Sequence, residues 1–206
     1  MEKLKVNELF WSAQGEGTHT GIPSIFLRLT GCSLGCSYCD SKSAWHDGDY
    51  LAIESIIKRI MELRDIYPGS QVVITGGEPL EQNIDTLVRT LKEIGFFIAL
   101  ETNGDHYRNI PIDWWAVSPK DVNDFRIHER LWDRISEIKL IVNDNLSFDI
   151  IKIISKKRMD IPVFLQPQFP DPGRFESTYN LYDECIRRGL GNVRLGIQMH
   201  RNYGIR

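Results

Sequence analysis

The chain has 206 residues, a length that fits one α/β domain, and 42% of its residues are hydrophobic while 26% are charged. This composition is ordinary for a globular protein, and no stretch approaches the roughly 18 to 20 consecutive apolar residues that cross a bilayer. The net charge of -3 supplies no general attraction for nucleic acid. We therefore expect a single domain over residues 1–206, located in the cytoplasm, that binds neither nucleic acid nor a membrane.

Seven apolar, β-branched stretches of about strand length follow one another along the chain. They cover residues 24–31, 71–77, 96–104, 114–120, 137–144, 162–168 and 193–200. Between several of them lie amphipathic helical patterns, which cover residues 53–63, 80–91, 148–157 and 177–190. This alternation of strand and helix predicts an α/β fold with a mostly parallel sheet, either open or curled into a partial barrel.

Polar or glycine-rich sequences follow five of these strands. They are the cysteine loop "GCSLGCSYCD" after the first strand, "TGGEP" after the second, "ETNG" with Glu101 after the third, "SPK" after the fourth and "QPQ" near the sixth. Any one of them alone could be an ordinary polar turn. Because the carboxyl ends of parallel strands meet at one edge of the sheet, we expect all five to assemble into one site.

The cysteine loop holds Cys32, Cys36 and Cys39, three of the four cysteines of the chain. Clustered thiols are typical of a metal centre and not of a secreted disulfide framework. A zinc ion would need a fourth ligand, for which His46 and Cys185 are candidates, although a loop histidine and a buried helical cysteine are the alternative interpretations. Three cysteines can instead hold three irons of a cubic iron–sulfur cluster and leave the fourth iron open to a small molecule.

The spacing of the three cysteines, with Tyr38 before the last one and "GGEP" on the next strand, resembles the radical S-adenosylmethionine superfamily. In that superfamily S-adenosylmethionine chelates the fourth iron, and an electron from the cluster cleaves it to a 5′-deoxyadenosyl radical. A further resemblance, to the 7-carboxy-7-deazaguanine synthase family, covers nearly the whole chain. It rests on "NELFWSAQGEGTHTGIPSIFLRLTGCSLGCSYCDS", "ITGGEP", "ETNG", "SPK", "QPQ" and "VRLGIQMHRNYGIR".

The resemblance implies an incomplete α/β barrel that is generally a homodimer. The implied activity is that of a lyase, which converts 6-carboxy-5,6,7,8-tetrahydropterin to 7-carboxy-7-deazaguanine with loss of ammonia, in queuosine and deazapurine biosynthesis. The implied electron donor is an external protein such as flavodoxin or ferredoxin. Two alternatives remain open: a glycyl-radical enzyme activase, which shares the cysteine spacing but acts on a protein partner, and a non-catalytic zinc or redox cysteine module.

The resemblance also implies roles for single residues. The ligands of the [4Fe–4S] cluster are Cys32, Cys36 and Cys39. The residues expected to contact S-adenosylmethionine are Tyr38, Asp40, Gly77, Ser118, Pro119, Lys120 and Gln166. The residues expected to bind the pterin are Ala13, Gln14, Gly15, Arg28, Thr75, Glu101, His200 and Arg206, although Glu101 could also serve the cofactor. Ser41 stands where the family usually has a threonine that ligates Mg²⁺, and serine keeps the oxygen that magnesium needs.

Overall fold

The protein is described here by a computed structural model that covers residues 2–168, 171 and 173–205. The strands are β1 (Lys3–Ala13), β2 (Pro23–Leu29), β3 (Asp49–Ala52), β4 (Gln71–Gly76), β5 (Ile98–Thr102), β6 (Trp114–Val117), β7 (Glu137–Val142), β8 (Val163–Pro167) and β9 (Val193–Leu195). The helices are α1 (Ile53–Ile66), α2 (Asp85–Glu93), α3 (Phe148–Lys157), α4 (Gly173–Arg187) and α5 (Met199–Tyr203). None of the described helices combines the length and the apolar character needed to span a bilayer.

The nine strands form one sheet in the order β3-β1-β2-β4-β5-β6-β7-β8-β9. Strand β1 runs antiparallel to β2 and β3, and all the other neighbouring pairs are parallel. The sheet curls strongly: the amide of Thr18, which follows β1, donates to Glu137 Oε2 on β7 at 2.8 Å. Within the described residues no ladder joins the edge strands β3 and β9. The predicted mostly parallel, incomplete barrel is therefore confirmed.

Apolar side chains lie on both faces of the curled sheet. The outer face packs with α1, α2, α3 and α4 around a large core that includes Ile56, Leu87 and Ile151, all fully buried. The inside of the barrel holds a smaller cluster of Phe26, Val73 and Ala99 with Phe10 and Trp114 packed against it. The rings of Phe10 and Phe26 stack with their centroids 5.2 Å apart. This inner cluster fills one end of the barrel and leaves the other end for polar residues.

The structure differs from the sequence prediction in several elements. Strands β1 and β3 were not predicted, because charged residues interrupt the apolar pattern, and on β1 Leu4 and Val6 alternate with more exposed residues. The strand predicted over 193–200 ends at Leu195, because Gly196 turns the chain away and donates to the Leu165 carbonyl at 2.7 Å. The helix predicted over 80–91 begins at Asp85, since Pro79–Glu81 form a separate 3₁₀ turn.

Candidate active site

A cavity of about 250 Å³ opens at the carboxyl ends of the parallel strands. Residues from all five of the polar sequences line it, including Cys36 after β2, Gly77 after β4, Glu101 on β5, Ser118 after β6 and Gln166 on β8. The expectation that these sequences assemble into one site is confirmed. A concave, partly apolar cavity with convergent polar groups is typical of small-molecule binding.

Most of the residues with predicted roles line this cavity. They are Ala13, Gln14, Gly15, Arg28, Cys32, Cys36, Tyr38, Cys39, Asp40, Ser41, Thr75, Gly77, Glu101, Ser118, Lys120, Gln166 and His200. Pro119 is buried behind Ser118 and Lys120 and is not a lining residue. Arg206 lies outside the described residues. What each of these side chains binds stays a prediction, since their position alone does not identify a ligand.

The three cysteines of the loop are free thiols, with Cys36 buried and the other two half-buried. Burial raises the pKa of the Cys32 and Cys36 thiols, so holding them as thiolates requires a compensating positive charge such as bound iron. Within the described chain no three Cys, His, Asp or Glu side chains converge as ligands of one metal ion would. A cubic cluster binds each thiolate at a different iron and therefore needs wider spacing than one ion does.

The two residues that could complete a zinc site lie elsewhere. Cys185 is fully buried in the outer core, on α4, which agrees with its interpretation as a small core residue. His46 is exposed, and its carbonyl accepts a hydrogen bond from Lys5 Nζ at 2.6 Å. Neither residue is among the lining residues of the cavity. The arrangement therefore favours an iron–sulfur cluster over a four-ligand zinc ion.

The "GGEP" segment packs backbone to backbone against the cysteine loop. The amide of Glu78 donates to the Gly31 carbonyl at 2.6 Å, and the amide of Gly77 donates to the Leu29 carbonyl at 3.0 Å. A Cβ on Gly77 would lie 2.0 Å from the Gly31 oxygen and 3.0 Å from the Cβ of Cys32. Glycine is required at residue 77 because both partners are close and the nearer one is backbone.

Glu78 was not predicted to matter, yet its buried carboxylate connects two of the site segments. It accepts hydrogen bonds from Thr102 Oγ1 at 2.7 Å, from the Asn103 amide at 2.7 Å and from the Leu80 amide at 3.0 Å. Burial raises the pKa of Glu78, although these donors partly oppose that shift. The "ETNG" sequence is thereby fixed to the "GGEP" turn. In the sequence, a carboxylate between a glycine pair and a proline was the only signal of this role.

A group of charged and polar side chains, which we call the floor network, underlies the cavity: Gln14, Glu16, Thr75, Glu101 and Lys139. Lys139 Nζ lies 2.9 Å from Glu16 Oε2 and 2.9 Å from Glu101 Oε1. Gln14 Nε2 donates to Glu101 Oε1 at 3.2 Å, and Thr75 Oγ1 donates to Glu101 Oε2 at 2.9 Å. The network fixes the Glu101 carboxylate from two strands, β4 and β7, and from the loop after β1.

Charge compensation explains the ionisation of this network. Burial by itself would raise the pKa of Glu16, but the Lys139 ammonium and hydrogen bonds from Gln198 and Gln166 lower it to about 2. Burial would lower the pKa of Lys139, whereas Glu101 and Glu16 raise it above its usual range. The Lys139 side chain is only 6% exposed and remains charged. Sequence reasoning missed Glu16 and Lys139, although charges alternating with apolar residues in "EIKLIV" were a usable signal.

Arg28 and Ser41 lie side by side at the wall of the cavity, with Arg28 next to Thr75 in the sheet register. Arg28 Nε donates to Glu8 Oε1 at 2.8 Å, and Arg28 Nη1 donates to Ser41 Oγ at 3.0 Å. Ser41 Oγ in turn donates to Asp40 Oδ1 at 3.1 Å. The guanidinium is therefore oriented by two side chains of the protein, while the planar group carries further N–H donors. The ring of His200 packs directly over Gly15, where a Cβ would lie 2.1 Å from Nδ1.

Comparisons with known proteins agree with this geometry. The profile of the Radical SAM superfamily matches residues 27–155. A 7-carboxy-7-deazaguanine synthase from Rickettsia prowazekii is 35% identical, over 98% of this chain and 89% of that protein. One from Bacteroides thetaiotaomicron is 36% identical, over 98% of both chains. The crystal structure of QueE from Escherichia coli superposes with a TM-score of 0.76 at 29% identity, over 96% of this chain and 95% of that chain.

The open barrel, the three-cysteine loop and the profile match define a radical S-adenosylmethionine enzyme, whose cofactors are a [4Fe–4S] cluster and S-adenosylmethionine. The structure of Streptococcus suis SuiB shares the fold, with a TM-score of 0.57, but only 14% of the sequence. The sequence identity to the two 7-carboxy-7-deazaguanine synthases, 35% and 36% over nearly the full length, is far higher than the identity to SuiB. Within the superfamily, the chain belongs to the 7-carboxy-7-deazaguanine synthase family.

Proposed function

We propose that the protein is a lyase that converts 6-carboxy-5,6,7,8-tetrahydropterin to 7-carboxy-7-deazaguanine, with loss of ammonia. The observation that carries this proposal is the match to named 7-carboxy-7-deazaguanine synthases over 98% of the chain. Two alternatives are less consistent with this match: a glycyl-radical enzyme activase and a zinc or redox module. An activase acts on a protein, so it needs no cavity lined by Arg28 and the floor network.

The cluster and S-adenosylmethionine, when bound, supply hydrogen-atom abstraction chemistry by way of a one-electron reduction. Cys32, Cys36 and Cys39 would hold the cluster, and Gly77 allows the backbone of "GGEP" to approach it closely. The cofactor would contact Tyr38, Asp40, Ser118, Lys120 and Gln166. Supporting evidence is that Gln166 Oε1 is buried and has no hydrogen-bond partner among the described residues, so it is available to a ligand donor.

The remaining residues of the protein would orient the substrate and exclude water. Arg28 offers a planar pair of donors to the pterin carboxylate. Glu101 accepts from Gln14, Lys139 and Thr75, which uses three of the roughly four acceptor positions of a carboxylate and leaves one for a pterin N–H. We propose that the substrate is the partner of Glu101. Fixing the ring between these groups contributes chiefly by positioning the reacting C–H bond.

We also propose that Mg²⁺ binds at Ser41 and contacts the substrate carboxylate. The oxygen donors of Ser41 and Asp40 suit a hard cation, and the Ser41 hydroxyl retains one lone pair beside its bonds to Arg28 and Asp40. The positive charge of Arg28 opposes a cation at this position. The substrate carboxylate would therefore be needed to complete the site, and metal and substrate should bind together.

The electron donor, the homodimer and the location in the cytoplasm complete the proposal. Ser33, Gly35 and Ser37 of the cysteine loop are exposed, so a docked flavodoxin or ferredoxin could deliver an electron over a short distance. A homodimer is carried over from the family resemblance alone. The free thiols suit the reducing cytoplasm. One domain over residues 1–206 is consistent with the single nine-stranded sheet.

The test is to reconstitute and reduce the protein anaerobically and to supply S-adenosylmethionine, Mg²⁺ and the carboxypterin. We expect about four irons per chain and formation of the deazapurine, followed by absorbance and mass. Cys36→Ala should abolish both, whereas Cys185→Ala should retain both. If 5′-deoxyadenosine accumulates without deazapurine, the substrate is wrong and the superfamily right. Stoichiometric zinc without iron would refute both the substrate and the superfamily.

A further inference from the structure

The cysteine loop is anchored at its two ends by side chains. Near its start, the Ser33 amide and Oγ donate to Glu81 Oε1 at 2.8 and 2.6 Å. At its end, Ser41 Oγ accepts from Arg28 Nη1 at 3.0 Å. The stretch 34–38 between them is held differently. Its hydrogen bond to another segment, among the described residues, is donated by the Tyr38 hydroxyl to Asp121 Oδ1.

Asp121 is itself fixed by donors from its own turn and from the segment after β7. Its carboxylate accepts from the Val122 amide at 2.9 Å, from Asn143 Nδ2 at 3.0 Å and from Asn145 Nδ2 at 2.7 Å. Asp121 follows β6, and Asn143 follows β7 directly. The acceptor for the Tyr38 hydroxyl is therefore held at the edge of the barrel by three further hydrogen bonds.

The two partners of this bond are a neutral donor and an ionised acceptor. The phenol of Tyr38 carries one O–H, which it donates to the Asp121 carboxylate. Burial would raise the pKa of Asp121, but the bonds from Tyr38, Asn145, Val122 and Asn143 lower it, so the carboxylate accepts. A hydrogen bond to an ionised acceptor is stronger than one between neutral groups.

We propose that Asp121 is a positioning residue that fixes the Tyr38 ring at the wall of the cofactor cavity, so that S-adenosylmethionine meets an ordered surface. This inference rests on the cofactor part of the proposed function and does not depend on the pterin. The Tyr38 backbone lies in the loop stretch with few outside bonds, and its ring can turn about two side-chain torsions. The bond at the distal hydroxyl removes that freedom before the cofactor binds, which lowers the entropic cost of binding.

The experiment compares Tyr38→Phe, Asp121→Ala and the double variant with two matched controls. Tyr38→Phe keeps the ring and removes only the hydroxyl. The controls are Tyr50→Phe, a 68% exposed tyrosine on β3, and Asp65→Asn, an exposed acid on α1. Each reconstituted protein is measured for iron content, for melting temperature and for S-adenosylmethionine affinity from the change that the cofactor causes in the EPR spectrum of the reduced cluster.

Tyr38→Phe should keep the iron content of the parent, melt slightly lower because one hydrogen bond is lost, and bind S-adenosylmethionine about 5- to 10-fold more weakly, the range for loss of one hydrogen bond. Asp121→Ala should weaken the binding of S-adenosylmethionine by a similar factor. Its melting temperature should be lower than that of the parent, because Asn143 and Asn145 lose their acceptor. The double variant should bind the cofactor no worse than Asp121→Ala, because both changes remove the same bond.

Unchanged cofactor affinity in Tyr38→Phe would overturn the inference. So would multiplicative losses in the double variant, since Asp121 would then act independently of Tyr38. Failure of the proposed function is recognised separately: a parent protein without iron refutes the superfamily assignment and this inference with it, whereas a parent that binds the cofactor but makes no deazapurine leaves the inference standing.

Discussion

The guanidinium of Arg28 is oriented by two side chains of the protein, which makes its role toward a ligand testable. Glu8 and Ser41 take two of its five N–H donors, and the residue lines the cavity. We expect Arg28→Ala to weaken binding of the carboxypterin about 10- to 100-fold, the range for loss of hydrogen bonds to a charged group. Binding of S-adenosylmethionine should weaken by less than about 2-fold. Dissociation constants for the two ligands, measured separately by anaerobic calorimetry, check this expectation.

Arg59→Ala, at an exposed position of α1, is the control for loss of an arginine charge. Equal losses for both ligands in Arg28→Ala would contradict the substrate role. In that case Arg28 would act by supporting Ser41 at the end of the cysteine loop, which is a structural role. The ratio of the two losses therefore decides between the interpretations, whatever their absolute size.

Residues were found from the sequence where the chemistry constrains both residue type and spacing. Cys32, Cys36 and Cys39 are recognisable because three thiolates on a short loop have few other uses. Glu16, Glu78 and Lys139 were missed, because a buried charge is recognised by its partners, and the partners come from distant parts of the chain. Lys139, for example, is bound to Glu16 across 123 positions.

At the scale of elements, the contact between "GGEP" and the cysteine loop predicts a sensitive glycine. A Cβ at Gly77 would overlap the Gly31 carbonyl at 2.0 Å, and neither backbone can give way without moving the other. We expect Gly77→Ala to lower stability by about 1–3 kcal/mol, as overpacking does, and to reduce the iron bound per chain. Urea unfolding of the cluster-free protein and iron analysis after reconstitution measure the two effects.

Gly191→Ala is the matched control, because a Cβ there meets nothing within 4 Å and the backbone has no positive φ. It should leave both stability and iron content close to those of the parent. If Gly77→Ala also binds a full complement of iron with unchanged stability, the contact between "GGEP" and the cysteine loop does not require glycine at residue 77. The loop would then shift to accommodate the added Cβ.

The seven strands predicted from apolar runs were all found, because parallel strands buried on both faces are nearly continuous in hydrophobic residues. The antiparallel strands β1 and β3 were not predicted, since Lys3, Lys5 and Glu8 on β1 and Asp49 on β3 interrupt the apolar pattern. The end of β9 was misplaced because Ile197 and Met199 continue an apolar pattern that Gly196 interrupts. Tertiary contacts, and not local pattern, determine those boundaries.

At the scale of the whole molecule, the loop after β1 closes the incomplete barrel from within. Glu16 in this loop is bound by Lys139 on β7 at 2.9 Å, by Gln166 on β8 at 2.7 Å and by Gln198 before α5 at 2.9 Å. The Met199 amide also donates to the Gly15 carbonyl at 2.8 Å. One carboxylate therefore joins the amino-terminal loop to β7, β8 and the carboxyl-terminal segment. In the part of the chain that the structure describes, β1 pairs with β2 and β3 and with neither of these two strands.

This closure should appear in the pH dependence of stability. The pKa of Glu16 is about 2 in the folded protein against 4.5 for an exposed glutamate, so the unfolded chain binds more protons between these values and stability rises with pH. The contribution is fully present above about pH 5 and is lost as the pH falls toward 2. The raised pKa of Glu78 acts in the opposite direction, so the parent curve alone cannot isolate Glu16.

The difference between the parent and Glu16→Gln isolates it, because all other groups are common to both proteins. Urea unfolding of the cluster-free proteins should give a difference in unfolding free energy that is constant above about pH 5 and shrinks steadily below it. Glu93→Gln, an exposed position at the end of α2, should show a small and nearly constant difference. If the Glu16→Gln difference did not change with pH, Glu16 would not be an ionised partner of Lys139, and closure of the barrel would depend on the neutral hydrogen bonds of the loop alone.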